Sequence, residues 1–359
     1  VFWEVMLLPM YFLIGVWGGP RREYAAIKFF IYTLLGSVFM LVVILVCYFK
    51  TGSFSIPELI ALQPFASSRF WVQTLAFFAL FVAFAIKVPI FPFHTWLPDA
   101  HVEAPTSISV ILAGILLKMG GYGFLRINWP LLKDVATAPH IIYFMIVLAL
   151  ISIIYGALCA MAQSDFKKLV AYSSVSHMGY VLLGIAVLQT EAVNGAIFQM
   201  FAHGLSSAML FLLVGVIYER AHHREIARFG GLGLKMPVYL TLSIVGFFAS
   251  LGLPGLVGFI GEVMVFLGAF RAADGAYRIQ TLIATLGILL TAAYILWTMQ
   301  RVYLGKLKPE YENFSDVNKV ELVTLVPLAL LCILFGVLPN LLLSVFSTFT
   351  DTWLALLGR

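Results

Sequence analysis

The sequence predicts an all-α polytopic membrane protein, and three observations support this fold class. Hydrophobic residues make up 62% of the 359 residues and charged residues only 11%, whereas charged residues make up about 25% of a soluble domain. The mean hydropathy is +1.01. The apolar residues also gather into runs of about 20 residues, the length that an α-helix needs to cross a bilayer.

Ten membrane spans are predicted from the apolar runs between charged and turn residues. The spans leave no room for a separate soluble domain, so we predict one transmembrane domain over residues 1–359. The stretch after Pro339 mixes apolar residues with Ser, Thr and Asp351, and it suits either an interfacial segment or a last span. The predicted spans are 1–17, 25–49, 70–93, 104–127, 140–162, 167–188, 192–218, 237–270, 279–304 and 320–338.

The basic residues are divided unequally between the two sides of the predicted bundle. Of the 22 Lys and Arg residues, 13 fall in connections on one side and 7 on the other, and two fall inside spans. Lys and Arg are enriched in cytoplasmic or matrix loops, so we expect the richer side to be internal. The net charge of +5 then reflects orientation, and nucleic acid is not an expected partner. The richer side includes Arg21, Arg22, Lys167, Lys168, Arg220 and Arg224.

No cofactor site is predicted in this chain. Cys47, Cys159 and Cys332 lie in separate apolar runs and cannot supply the four thiolates of an iron–sulfur centre or a structural zinc site. Neither GxGxxG nor GxxxxGK occurs, so a nucleotide site of the usual kind is not indicated. The histidines also lack the HxxH and HExxH spacings of metal sites.

The third predicted span is interrupted, and a lysine lies beside the interruption. Lys87 ends an apolar run and is followed by Pro89 and Pro92, which remove amide donors and break a helix. A charge in hydrocarbon costs about 2.5–3.5 kcal/mol on insertion scales, which favours a functional role. Broken helices that carry an ionisable side chain are typical of ion transporters. Snorkelling of Lys87 to the interface is the alternative.

Lys118 lies near the middle of the fourth span, where snorkelling is difficult. A buried lysine changes its protonation when a carboxylate approaches or withdraws. A proton relay needs that property, so Lys118 is predicted to carry protons.

Histidines within the apolar spans are further relay candidates, because imidazole titrates near neutrality and passes a proton between its two nitrogens. His177 and His203 lie in such spans with several serines nearby. A hydrogen-bonded packing role fits each of them equally well. His94, in the first break, is a secondary candidate. The pair His222 and His223 lies in a charged connection and is expected to be solvated.

Acidic residues complete the candidate set. Glu262 follows a second break, the proline- and glycine-rich segment 251–261, and suits either the exit acid of a relay or a helix N-terminal cap. The two breaks hint at an internal repeat. Glu4 lies either in the headgroups or buried beside a basic group, with Lys87 the expected partner. Asp99 and Glu103 are expected to be solvated or to cap the next helix.

Several motifs in a fixed order closely resemble the subunit M family of respiratory complex I, a group of antiporter-like membrane subunits known in mitochondria as subunit four. The resemblance covers essentially the whole chain. The motifs are Trp3-Glu4 with Pro9-Met10-Tyr11, Lys28-Phe29-Phe30-Ile31-Tyr32-Thr33, the segments 94–101 (HTWLPDAH), 112–118 (LAGILLK) and 171–179 (AYSSVSHMG), Ala202-His203-Gly204-Leu205, and 258–262 (GFIGE).

The resemblance implies a fourteen-helix fold with two inverted five-helix repeats, each containing a broken helix. This chain supplies ten predicted helices and begins at what corresponds to the family's fifth, which leads us to expect that the first four are absent. The resemblance also implies roles for matching residues. Glu4 modulates Lys87, Lys118 is the central relay lysine, His203 lies between the halves, and Glu262 is the terminal residue, where related subunits usually carry lysine.

The expected function is proton translocation by a membrane-arm subunit of an NADH:quinone oxidoreductase. The resemblance implies that NADH, FMN, iron–sulfur clusters and quinone bind partner subunits, and that the neighbours include two sister antiporter-like subunits and lipids. A subunit of a multisubunit cation/proton antiporter and a purely structural membrane subunit are the alternatives. The expected location is the bacterial inner membrane, with the mitochondrial inner or thylakoid membrane as alternatives.

Overall fold

The computed structural model describes residues 2–358, and these form α-helices joined by loops. Within this range, β-type pairing is limited to one isolated bridge between Asp165 and Glu225. The all-α prediction is confirmed. The longer helices, numbered α1 to α13, are Phe2–Trp17, Arg22–Thr51, Phe70–Lys87, Trp96–Glu103, Thr106–Leu131, Pro139–Met161, Phe166–Ala186, Thr190–Ala221, Pro237–Leu251, Val257–Arg271, Arg278–Tyr303, Lys319–Val337 and Asn340–Leu356. Short helices lie at Ile56–Leu62, Lys133–Ala136, Ile226–Arg228, Leu232–Lys235, Ala272–Gly275 and Pro309–Tyr311.

Each of the ten predicted spans falls on helical structure. Among the described residues, 8 helices are long and apolar enough to cross a membrane by themselves, namely α2, α3, α5, α6, α7, α8, α11 and α12. The shorter apolar helices α1 and α9 match the first and eighth predicted spans. The eighth span is divided, because its second part forms α10 after a break.

The first break separates α3, which ends at Lys87, from α4, which begins at Trp96. The helix therefore ends earlier than the predicted residue 93. Backbone groups near the break find side-chain partners, as buried polar groups must. The indole Nε1 of Trp96 donates to the carbonyl of Ile86 at 2.8 Å, and the backbone N–H of Phe91 donates to the hydroxyl of Ser152 at 3.0 Å.

The second break separates α9, which ends at Leu251, from α10, which begins at Val257. Gly252 has a φ of +78°, in the left-handed region that disfavours side chains. A Cβ atom at Gly252 would also lie 2.6 Å from Oε2 of Glu262. The backbone conformation therefore favours glycine at this position, and a Cβ there would force the Glu262 carboxylate to shift.

The helix α7 is the most shielded in the bundle. Of its most apolar 18-residue window, 94% is buried, compared with 72% for α8. The corresponding buried share is 33% for α2 and for α11 and 22% for α12, so these helices form the periphery. Polar side chains on α7 and α8 therefore lie at the centre of the protein.

The last helix, α13, lies across one end of the bundle. The hydroxyl of Thr350 donates to Oδ1 of Asn194 at 2.6 Å, and the indole of Trp353 donates to the carbonyl of Leu125 at 2.6 Å. Asn194 is in the first turns of α8, whereas Arg220 ends α8 on the side rich in basic residues. Hence α13 packs along the opposite face, in agreement with the interfacial alternative for this stretch.

Loop contacts close the face that is rich in basic residues. The guanidinium of Arg220 donates to both carboxylate oxygens of Glu321 at 2.8 Å, which ties the end of α8 to the start of α12. His223 stacks on Phe229 at 4.6 Å between ring centroids and is hydrogen-bonded to the Tyr311 hydroxyl at 3.0 Å. His223 is thus half-buried, unlike the solvated residue that was expected, whereas His222 is exposed.

Candidate proton-translocation site

Lys118 lies on α5 between two π-helical segments, Leu112–Leu116 and Phe124–Asn128. Short π-helical segments often occur at functional sites. The carbonyl of Ala113, in the first of these segments, accepts a hydrogen bond from the Lys118 ammonium at 2.6 Å. The ammonium is thus directed inside the bundle rather than to the interface.

His203, on α8, faces Lys118 directly. The His203 Nδ1 lies 2.7 Å from the Lys118 Nζ. An ammonium only donates hydrogen bonds, so Nδ1 accepts when Lys118 is charged, and the ring proton then lies on Nε2. No hydrogen-bond partner for this Nε2 is found among the described residues. His203 is thus placed to exchange a proton with Lys118 on one side and with another group on its other side.

His177, on α7, continues from His203 toward the second break. The two imidazole rings lie 5.7 Å apart between centroids. The His177 Nδ1 is 3.4 Å from Oε1 of Glu262, an ion-pair distance without hydrogen-bond geometry. The Nε2 of His177 is 3.2 Å from the hydroxyl of Ser250, near the end of α9. The side chains of His177 and Glu262 are only 3% and 5% exposed.

Four predicted site residues therefore form one continuous row, which we call the polar row: Lys118, His203, His177 and Glu262. They come from α5, α8, α7 and α10, and consecutive members are neighbours. The row leads from the π-helical part of α5 to the second break. Such an arrangement permits a proton to move stepwise through an apolar interior.

Lys87, at the first break, is buried beside aromatic rings. It is 2% exposed, and its ammonium has no hydrogen-bond partner among the described residues. The Nζ lies 5.4 Å from the Trp3 ring centroid and 5.5 Å from that of Phe29, a range in which cation–π attraction operates. Lys87 therefore does not snorkel. Its helix also touches α5, since a Cβ at Gly120 would lie 2.6 Å from the carbonyl of Phe84.

Glu4 lies on the surface of the described bundle, next to the Trp3 that contacts Lys87. Its carboxylate interacts electrostatically with the Lys87 ammonium. No salt bridge joins Glu4 to Lys87 in the described part of the chain. The predicted pairing is thus a through-space interaction in this conformation.

His94 lies apart from the polar row. It is 2% exposed and packs among aromatic side chains, with ring centroids 5.8 Å from Phe91 and 5.1 Å from Tyr155. Neither ring nitrogen has a hydrogen-bond partner in residues 2–358. Its role as a secondary relay candidate stays a prediction.

Two buried basic residues were missed as candidates by the sequence analysis. Lys167 was placed in a connection, but it is 4% exposed and donates to the carbonyl of Ala104. His101 is fully buried, stacks on Phe211 at 4.5 Å between centroids, and interacts electrostatically with Lys167 and Lys118. The available signal was Asp165, whose carboxylate caps α7 and places Lys167 inside the helix rather than before it.

The short helix after the first break, α4, is more enclosed than expected. Glu103 is 9% exposed and accepts a hydrogen bond from the backbone N–H of Arg21 at 2.9 Å, so the expectation of a solvated residue or a cap of the next helix is wrong. Asp99 forms a salt bridge with Lys28 at 2.7 Å. Glu103 and Lys167 line a cavity of about 170 Å³ at the basic face.

Residues 2–358 contain no group of three or more His, Cys, Asp or Glu side chains that could hold a metal ion. What the site offers is a row of titratable groups, whose chemistry is proton transfer.

Comparison with known proteins places this chain in a family. The sequence model described as "NADH:quinone oxidoreductase/Mrp antiporter, TM" matches residues 1–291. NADH-quinone oxidoreductase subunit M of Rickettsia felis is 49% identical over 358 residues, which cover 99% of this chain and 70% of the relative. The subunit M of Rhodobacter capsulatus is 47% identical, with 95% of this chain and 67% of the relative covered.

Solved structures agree with the sequence relatives. A chain of respiratory complex I from Thermus thermophilus with bound NADH is 32% identical, with a TM-score of 0.91, and the match covers 100% of this chain and 74% of that one. A chain of the Mrp complex from Dietzia sp. DQ12-45-1b matches with a TM-score of 0.87 at 21% identity, over 99% of this chain and 74% of that one, and so shares the fold.

The apolar helices and the bacterial relatives together indicate a multi-pass protein of the inner membrane that works with other membrane-arm subunits. The relatives are subunits of an oxidoreductase complex. The chain belongs to the subunit M family of NADH-quinone oxidoreductases, the antiporter-like subunits of the complex I membrane arm.

Proposed function

We propose that this chain translocates protons through the polar row, driven by quinone reduction in other subunits of the complex. The observation that supports this most directly is the continuity of the row. Its first pair is separated by 2.7 Å and its last by 3.4 Å, and all four members lie among apolar helices. A row of titratable groups at such depth is costly unless it is used.

Lys118 and His203 would share one proton. When the Lys118 ammonium releases it, the Nδ1 of His203 at 2.7 Å is the acceptor. The imidazole can then release the proton that it carries on Nε2, so the charge moves across the ring. A rotation of either ring, or one water molecule, bridges the 5.7 Å between the His203 and His177 centroids.

Glu262 would be the terminal proton carrier. Its carboxylate lies beside the His177 Nδ1 and stabilises the imidazolium form when the proton arrives. Glu262 lies in the second turn of α10, close to the second break, and backbone groups freed at such a break would be satisfied by protein or water. Ser250 orients the His177 ring through its other nitrogen.

Lys87 would set the charge state of the row. The charged form of an ammonium without a hydrogen-bond partner is only weakly stabilised, so the protonation of Lys87 responds to the position of Glu4. Approach of the carboxylate favours the charged lysine, and withdrawal favours proton release. The charge on Lys87 acts on Lys118 through the contact between α3 and α5.

The chain acts as a single transmembrane domain beside two sister antiporter-like subunits, and NADH, FMN, iron–sulfur clusters and quinone bind to partner subunits.

The test is proton uptake by the intact complex in proteoliposomes during NADH oxidation. Lys118→Ala is expected to abolish coupled uptake. Lys235→Gln, which removes an exposed lysine at the basic face, is the matched control and is expected to leave uptake unchanged. A Lys118→Ala complex that assembles and pumps at the normal ratio of protons to NADH would overturn the proposal.

A cation/proton antiporter subunit is the second candidate, supported by the fold shared with the Mrp chain. The resemblance noted above favours the oxidoreductase, since Glu262 stands where those relatives usually carry lysine. Co-purification separates the two. Subunits with iron–sulfur clusters support the first function, and a purely membrane-bound set of partners together with Na⁺-dependent exchange supports the second.

A further inference from the structure

An apolar groove runs along the outer surface of the bundle between α2 and α3. It encloses about 490 Å³ and is lined by Phe, Val, Leu and Ala side chains. It is open on one side, because Val42 and Leu75 at its rim are 54% and 62% exposed. The residues that define this α2–α3 groove are Phe39, Val43, Phe65, Val72, Ala76 and Val82.

The dimensions of the groove fit one hydrocarbon chain. Its α3 side runs from Val72 to Val82, which at 1.5 Å per residue is roughly 15 Å, half of the roughly 30 Å hydrocarbon core. A volume of 490 Å³ over that length gives a cross-section of about 33 Å². An α-helix, with a diameter of at least about 10 Å, has a cross-section of roughly 80 Å². The groove therefore has the length and the cross-section that suit one acyl chain within one leaflet.

Two basic residues stand at the membrane-surface end of the groove. Lys50, at the end of α2, lies over the Phe65 ring with its Nζ 5.0 Å from the centroid. Its ammonium donates to the Pro64 carbonyl at 2.9 Å and to the Ser68 hydroxyl at 2.6 Å, which fixes it at the mouth. Arg69 is exposed and lies one turn before Val72 on the same helix face.

These two cations have no acidic partner in the described structure. The acid between them in sequence, Glu58, accepts a hydrogen bond from the Ser53 hydroxyl, and no salt bridge forms at Lys50 or Arg69 within residues 2–358. The mouth of the groove is therefore positively charged and exposed at the headgroup level. Charge of this sign attracts anionic lipids.

We infer that the α2–α3 groove binds an anionic glycerophospholipid. One acyl chain lies along Val43, Ala76 and Val82, and the phosphate lies at Lys50 and Arg69. The lipid belongs to the leaflet on the side of α13, opposite the basic face, because α2 ends there.

Photolabelling of the intact complex in nanodiscs tests this site. The probe is phosphatidylglycerol with a diazirine on one acyl chain, and labelled peptides are mapped by mass spectrometry. We expect labelling within residues 39–46 and 72–82. Ala76→Trp, which fills the groove, is expected to remove that labelling. Leu289→Trp, on the 67% exposed face of α11, is the matched control and is expected to keep it.

A double variant tests the headgroup without filling the groove. In Lys50→Gln with Arg69→Gln, the preference for phosphatidylglycerol over an equivalent phosphatidylcholine probe is expected to fall by roughly 30-fold, about 5-fold per basic residue. Equal labelling by both probes in the unaltered complex would overturn the inference. Labelling that survives Ala76→Trp would do the same, as would cross-links showing that a neighbouring subunit, or a helix of the same subunit outside residues 1–359, covers the groove.

Discussion

Replacing Gly252 with alanine tests whether the contact between Glu262 and His177 carries the proton. Gly252 has a φ of +78°, and a Cβ there would lie 2.6 Å from Oε2 of Glu262. Ordinary van der Waals contacts begin near 3.4 Å, so the carboxylate must retreat by about 0.8 Å. We expect this shift to carry Oε1 of Glu262 away from His177 and to lengthen the present 3.4 Å between them beyond an ion-pair distance. A misplacement of about 1 Å can cost roughly 100-fold in rate.

Gly255 provides the matched control for this substitution. Its φ is +91°, and a Cβ there would meet nothing within 4 Å. Both alanine variants carry the same kind of left-handed backbone strain, about 1–2 kcal/mol. Only Gly252→Ala displaces the carboxylate, so a difference between the variants isolates the contact from the strain.

The assay is the initial rate of NADH-driven proton uptake into proteoliposomes, with the amount of assembled complex measured in parallel. We expect Gly252→Ala to lose most of its uptake and Gly255→Ala to retain it. Equal uptake by the two variants at equal assembly would refute the reasoning, because the displaced carboxylate would then have no part in the proton path.

Three further outcomes are expected. Lys87→Met should raise the unfolding temperature and lower proton uptake. The substitution removes a buried ammonium without a hydrogen-bond partner, whose desolvation costs about 1–3 kcal/mol. A variant that is less stable than the unaltered protein would contradict this. Glu321→Gln should destabilise the protein by about 1–2 kcal/mol, because it breaks a half-buried ion pair with Arg220. The measurement is thermal unfolding of Glu321→Gln, of Arg220→Gln and of the double variant. Additive effects of the two substitutions would show that the pair contributes nothing. Burial lowers the pKa of His223 below its usual 6.5, so below about pH 6.5 the unfolded loop binds more protons than the folded one, and the contacts of His223 with Phe229 and Tyr311 weaken as the pH falls. Hydrogen exchange of residues 222–231, corrected for intrinsic rates, should therefore become faster from pH 7.5 to pH 5.5. The increase should be smaller in His223→Gln.

Local sequence signals predicted most of the fold. Apolar runs long enough to cross a bilayer can be recognised from the sequence alone. Each such helix satisfies its own backbone hydrogen bonds, whichever helices lie beside it. The breaks were equally readable, since proline at 89 and 92 and proline at 254 act on the residues beside them. Lys87 and Glu262 stood out for the same local reason, as charges beside those breaks.

The membrane class, the ten helical spans, the two breaks and the ionisable residues within the spans can all be read from the sequence alone. Which of these ionisable residues meet depends on how the helices pack. Lys118 and His203 are 85 positions apart, and no local pattern encodes a contact that depends on how α5 packs against α8. Packing also decided that His94 lies apart in an aromatic cage and that Lys167 is buried. It further placed α13 across the face instead of through the membrane, because its partners on α5 and α8 come together only in three dimensions.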